Sequence, residues 1–192
     1  ALVVSLYGFI NAAMVRITRI DVQLPGLSNS WKGKTAVWVS DTHLGQVRNL
    51  GFAEKISAMV QDLHPDIIFV GGDLYDGEAV DVDKVIEPFS RLSAPYGTYF
   101  ITGNHEEFSD NTKYLQAVRR AGMRVLYNEK VELDGLQIIG VDYRDTRREE
   151  AFFRLGSLGR RGMILPMILI LHIGNNRANS EPIQRSKQGP TS

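Results

Sequence analysis

The sequence predicts an α/β domain: a layered sheet flanked by helices, with mixed parallel and antiparallel strands. Three observations predict it. Short apolar runs rich in β-branched and aromatic residues alternate with segments of helical spacing. The composition is globular, with 192 residues, 43% hydrophobic and 23% charged. Three of the apolar runs end in polar clusters, spaced as successive strand–helix units would space them.

The elements follow in order. Residues 16–22 alternate and read as an edge strand. TAVWV (35–39) is a short strand, followed by a helix over 50–63 with Phe52, Ile56, Met59, Val60 and Leu63 on one face. DIIFV (66–70) is a continuous apolar run, as in a strand covered on both faces. A helix over 80–92 turns Val82, Val85, Ile86 and Phe89 inward. GTYFI (97–101) is the next strand, and a helix over 112–121 stops at Gly122. Short strands at 124–126 and 131–133 precede Asp134-Gly135, a hairpin signal, and a strand at 136–141. A helix is expected over 146–158 and a buried strand over 167–173. We expect helices on both faces of the sheet.

The chain reads as three segments: an apolar stretch 1–15, a domain 16–174 and a polar tail 175–192. The first has no charge, but it is short of the about 20 residues that span a bilayer. It reads as a buried helix or strand, as the end of a membrane helix, or as a signal-peptide core without the basic leader. Arg16, Arg19, Lys32 and Lys34 follow. If the stretch is membranous, they place the domain on the cytoplasmic face. The tail has almost no apolar residue and no periodicity, which predicts disorder.

Composition excludes some functions. The absence of cysteine rules out a disulfide scaffold, a thiolate zinc site and a cysteine nucleophile. Net charge is zero, which argues against a nucleic-acid partner held by phosphate neutralisation. No G-x-G-x-x-G follows the first interior strand, so dinucleotide binding is a poor reading.

The polar clusters carry the chemistry. Ser40-Asp41-Thr42-His43 follows the first interior strand. Gly71-Gly72-Asp73-Leu74-Tyr75-Asp76 follows the second, and Thr102-Gly103-Asn104-His105-Glu106-Glu107 the third. Asp41 and Asp73 are 32 residues apart, Asp73 and Asn104 31. Ligands of open α/β sheets bind at the carboxyl ends of the strands, so the clusters should meet at one edge. In an extended segment Asp41 and His43, two apart, would point the same way and grip one ion. Two glycines let Asp73 approach closely. Carboxylates and imidazoles gathered there need a cation to offset their mutual repulsion. Asn104 adds a neutral oxygen, and His105 and His172, also at strand ends, add imidazoles. The fourth histidine, His64, lies in a helix-to-strand turn and reads as a turn residue.

These blocks resemble the calcineurin-like metallophosphoesterases, whose pattern is D-x-H, G-D-x-x-D, G-N-H-[DE], a later H, and G-H-x-H. Asp41-Thr42-His43, Gly72-Asp73-Leu74-Tyr75-Asp76 and Gly103-Asn104-His105-Glu106 match the first three, and His172 looks like the fourth. The apolar start is similar to the membrane-anchored bacterial branch. The resemblance implies two divalent or transition metal ions, Mn, Fe or Zn. Asp41 and His43 would hold one, Asn104 and His172 the other, with Asp73 bridging them. It implies a metal-bridging hydroxide that hydrolyses a phosphomonoester, phosphodiester or pyrophosphate, with His105 catalytic beside the scissile phosphate. Asp76 would orient His43 or a metal water, or act as a turn residue; Glu106 has no ligand role. A membrane anchor would suit a lipid-linked phosphate ester. The last block, G-H-x-H, has no match, since no histidine follows His172. That departure predicts a domain incomplete near residue 174, and opens the alternative of an impaired or inactive fragment that binds metal or phosphate. Arg144, Arg147 and Arg148 would reach a phosphate or form a solvated helix start.

Overall fold

The computed structural model describes residues 5, 14–24, 27–76, 81–107, 111–145 and 168–174, with the backbone alone at 23, 145 and 168–174. The helix expected at 146–158 and the tail expected at 175–192 lie outside the described residues, as does most of the 1–15 stretch. Among the described residues no helix is long and apolar enough to cross a membrane.

The strands are β1 (Ile17–Gln23), β2 (Lys34–Val39), β3 (Ile67–Val70), β4 (Thr98–Phe100), β5 (Arg124–Val125), β6 (Glu129–Leu133), β7 (Leu136–Gly140) and β8 (Ile168–Gly174). The α-helices are α1 (Leu50–Asp62), α2 (Val82–Ile86) and α3 (Thr112–Arg120). Six strands form one sheet in the order β1-β8-β2-β3-β4-β5, and β6 and β7 pair as a separate hairpin. Strands β2 to β5 are mutually parallel, each joined to the next by a crossover connection. β8 runs parallel to the edge strand β1 but antiparallel to β2.

Local chemistry explains the element ends. Asn49 caps α1 by accepting the Gly51 N–H at 3.1 Å. Asp81 caps α2 by accepting the Lys84 N–H at 3.2 Å. The helix expected over 80–92 is α-helical only to Ile86 and continues as a 3₁₀ turn over Glu87–Arg91. Pro88 causes the change, since it lacks an N–H and its ring clashes with the carbonyl four residues back. The expected hairpin turn is present: Asp134 (φ 47°) and Gly135 (φ 82°) both take the positive φ of a type I′ turn.

The sheet's two faces are covered differently. Val37, Val39, Ile68, Val70 and Phe100 pack under α1, α2 and α3 in one core cluster. Their alternates Ala36, Ile67 and Tyr99 pack with Trp31, Leu126 and the hairpin residues Val131 and Ile138. The indole N–H of the fully buried Trp31 donates to the Leu133 carbonyl at 3.0 Å, fastening the hairpin. Among the described residues the α-helices share one face and a β-hairpin covers the other, while the further helix expected over 146–158 lies outside them.

Candidate metal centre

The parallel run β2-β3-β4 brings the three polar clusters to one sheet edge. Beyond the strands the backbones stay in step. Asp41 N–H donates to the Gly72 carbonyl at 3.1 Å, His43 N–H to Asp73 at 3.0 Å and Leu44 N–H to Leu74 at 2.7 Å. The Thr42 hydroxyl also donates to the Leu74 carbonyl, at 3.1 Å. Arg48 closes the first loop, its guanidinium donating to the carbonyls of Asp41 and Thr42 at 3.0 and 3.1 Å.

The conformation of these loops differs from the expectation. Asp41, His43 and Asp73 have φ of 55°, 45° and 48°, the left-handed region. Asp41 and His43 are therefore not related by strand alternation. Pairing with the second loop sets their direction instead. Non-glycine residues at positive φ persist where surrounding contacts over-determine them, and they cluster at functional sites. Gly72 (φ 84°) lets the second and third loops touch, because a Cβ there would overlap the Gly103 backbone.

The convergence is tight. Ligand atoms of His43, Asp73 and His105 lie within 4.8 Å of one another. The His43 and His105 rings meet edge to face at 4.4 Å. Asp73 is 8% exposed, and its Oδ1 accepts the His105 N–H at 2.9 Å, which aims the carboxylate along the third loop. Nitrogen and oxygen donors at this spacing fit one transition metal ion. His105, expected beside the phosphate, stands inside this set. Asp41 lies two residues before His43 but outside the three. Asn104 precedes His105 in the turn and accepts the Glu107 N–H through its carbonyl at 3.1 Å. Asp76 stands beside His105, with 3.7 Å between its Oδ1 and the ring Nδ1.

His172 is not brought to this edge. β8 runs antiparallel to β2, and its register sets His172 beside Thr35, at the start of β2. At roughly 3.3 Å per residue, that is about 13 Å from Val39, where the site loops begin. His64 holds its expected turn role, with Nδ1 2.8 Å from the Asp62 carbonyl oxygen. Arg144 pairs with Glu107 and lies 3.8 Å from Asp142, so the segment after β7 adjoins the His105 loop. Arg147 and Arg148 lie outside the described residues.

Glu106, expected only to close the third block without a ligand role, has a structural one. It is fully buried, and its carboxylate accepts four backbone N–H groups, from Asp73 (2.9 Å), Leu74 (2.8 Å), Tyr75 (3.2 Å) and Gly103 (2.8 Å). Burial pushes its carboxyl above the usual range, and those N–H bonds act in the opposite direction. Its only local signal is an acidic side chain directly after Asn104-His105.

Comparison with known proteins places the chain. The profile of the calcineurin-like phosphoesterases matches residues 35–185. The chain belongs to that family. A "transmembrane protein with metallophosphoesterase domain" of Danio rerio is 27% identical over 76% of this chain and 35% of its own length. The Bos taurus protein of the same name is 33% identical over 68% of this chain and 30% of its own. This calcineurin-like phosphoesterase thus spans about a third of those relatives. A UDP-2,3-diacylglucosamine pyrophosphatase of Chlamydia muridarum is 33% identical over 48% of this chain and 29% of its own length. Vertebrate and bacterial relatives both match, so the likeness does not single out a bacterial branch.

Proposed function

We propose that this phosphoesterase hydrolyses a phosphate ester or pyrophosphate bond at a two-metal centre on the carboxyl edge of β2, β3 and β4. The convergence of His43, Asp73 and His105 carries the reading. Asp41 and His43 would hold one ion, Asn104 would contribute to the second, and Asp73 would bridge the two. Divalent transition metals bound there would supply positive charge for the phosphoryl oxygens and lower the pKa of water. The chain's own residues do the rest. The His105 N–H fixes one oxygen of Asp73, leaving the other free to face the ions. The His105 side chain contacts the scissile phosphate, offsetting charge or protonating the leaving oxygen. Asp76 beside Nδ1 orients that ring. Mn, Fe and Zn suit this donor set better than Mg or Ca, which favour oxygen alone.

A lipid-linked pyrophosphate is the substrate class we favour. The name of the Chlamydia relative and the transmembrane names of the vertebrate relatives support it, as does the uncharged 1–15 stretch, which would anchor the protein. The basic residues after that stretch put the domain on the cytoplasmic face. A second reading is metal or phosphate binding without turnover. The register of β8 favours it by leaving His172 away from the site.

Elemental analysis with hydrolysis of bis-p-nitrophenyl phosphate tests both readings. Two transition metals per chain and turnover, both lost in Asp73→Asn, are expected. Metal without turnover would give the second reading, and no metal would overturn the first and reduce the second to phosphate binding.

A further inference from the structure

We propose that Glu106 is the positioning residue of the metal centre: its carboxylate fastens the Asp73 loop to the His105 loop, so that both face a common ion. The proposal rests on the metal reading for its effect on affinity, and on hydrogen bonds alone for the fastening.

The geometry is reciprocal. Oε2 of Glu106 accepts one N–H from each loop, Asp73 at 2.9 Å and Gly103 at 2.8 Å. Oε1 accepts Leu74 and Tyr75, at 2.8 and 3.2 Å. In return Asp73 Oδ1 accepts the N–H of His105. Each loop therefore offers a carboxylate to the backbone of the other. Asp73, Leu74 and Tyr75 are all nearly inaccessible to solvent, so water cannot take over their N–H groups. A buried backbone donor without a partner is costly, and these depend on one side chain. With Asp73 at φ 48°, the chain leaves β3 at an angle that strand pairing alone does not impose. Glu106 touches no reacting atom. It acts through the direction of the Asp73 carboxylate and the place of the His105 backbone.

A carboxylate is required there. In Glu106→Gln the single side-chain carbonyl can serve one pair of donors, either Leu74 and Tyr75 or Asp73 and Gly103. The amide group then points N–H groups at the other pair. Loss of the Asp73–Gly103 pair removes the bonds nearest the Asp73 carboxylate and loosens the junction of the two loops, which then hold by Leu74, Tyr75 and the His105 N–H alone.

The test compares wild type, Glu106→Gln and Val118→Ala, a control on α3 in the helical core that makes none of the hydrogen bonds of Glu106. Hydrogen exchange on metal-free protein should show at least one pair among the amides of Asp73, Leu74, Tyr75 and Gly103 exchanging faster in Glu106→Gln, with the amides of Ile68 and Val118 unchanged. Calorimetric titration with Mn²⁺ should show affinity falling about 10- to 100-fold in Glu106→Gln. In Val118→Ala it should stay within about twofold, although that protein is less stable. Unchanged Mn²⁺ affinity in folded Glu106→Gln overturns the proposal, as does an equal loss in Val118→Ala. If Glu106→Gln does not fold, Glu106→Asp keeps the charge with a shorter reach. It should lose affinity in the same direction, and wild-type affinity there also overturns the proposal. A wild type that binds no Mn²⁺ sinks the metal reading, and the exchange of the four amides then decides the fastening alone.

Discussion

The same three strands build two unlike regions. Along β2, β3 and β4 alternate residues form a helical face: Val37, Val39, Ile68, Val70 and Phe100 are all at or below 1% exposure under α1 to α3. A few residues further on, the loops at the carboxyl edge hold three non-glycine residues at positive φ and a buried carboxylate bonded to four N–H groups. Apolar contact orders the first region, directional hydrogen bonds the second. Apolar burial is additive and tolerant of small shifts, whereas a ring of donors and acceptors loses its geometry when one partner leaves. Stability should therefore reside mainly in the helical face and ligand geometry mainly in the loops.

The largest effect expected on folding tests the first half of that division. Phe89, 1% exposed, fills the helical face, and Phe89→Ala should cost about 3–5 kcal/mol in chemical denaturation. Metal content at low temperature should be unchanged. Loss of metal from the folded variant would break the division. Gly72→Ala probes the boundary. A Cβ there forces a left-handed alanine, costing about 1–2 kcal/mol, and overlaps the Gly103 backbone as well. We expect a total loss above about 2 kcal/mol together with loss of metal by elemental analysis. A variant that keeps its metal would show that the loops do not need that close approach. The smallest effect is at the exposed Glu87–Arg91 pair, 2.7 Å apart on the outer side of the 3₁₀ turn. Glu87→Gln should shift the unfolding free energy by no more than about 0.5 kcal/mol. A shift above about 1 kcal/mol would mean the turn needs that charge pair.

What could be read from the sequence divides along the same line. The strands β2, β3 and β4, their parallel order and the meeting of the three clusters followed from apolar runs and separations of 32 and 31 residues. Both signals are local or nearly so. The Asp134-Gly135 turn was readable because few residues accept φ > 0 twice in succession. Pro88 carried a signal that the expectation of one helix over 80–92 did not use, since a proline two residues beyond Ile86 was enough to end the α-helix. The direction of β8 was not readable. A buried apolar run looks alike in either orientation, and the orientation depends on the connection that precedes it. The left-handed backbones of Asp41, His43 and Asp73 were hidden for a related reason, because they arise from pairing between loops far apart in sequence. Glu106 was missed because its four partners come from two loops, and only the assembled fold shows that they converge.

The chain has two tryptophans, and the fold gives them separate duties. Trp31 is sealed beneath the hairpin, whereas the Trp38 indole lies against Gly71, two residues before Asp73, so closely that a Cβ at Gly71 would overlap the ring. One chromophore watches whether the hairpin is docked, and the other sits at the threshold of the metal loops. Undocking of the hairpin should therefore change the emission of both indoles, since Trp38 shares a cavity with Leu136 and Ile138, whereas a change at the sheet edge should reach Trp38 first.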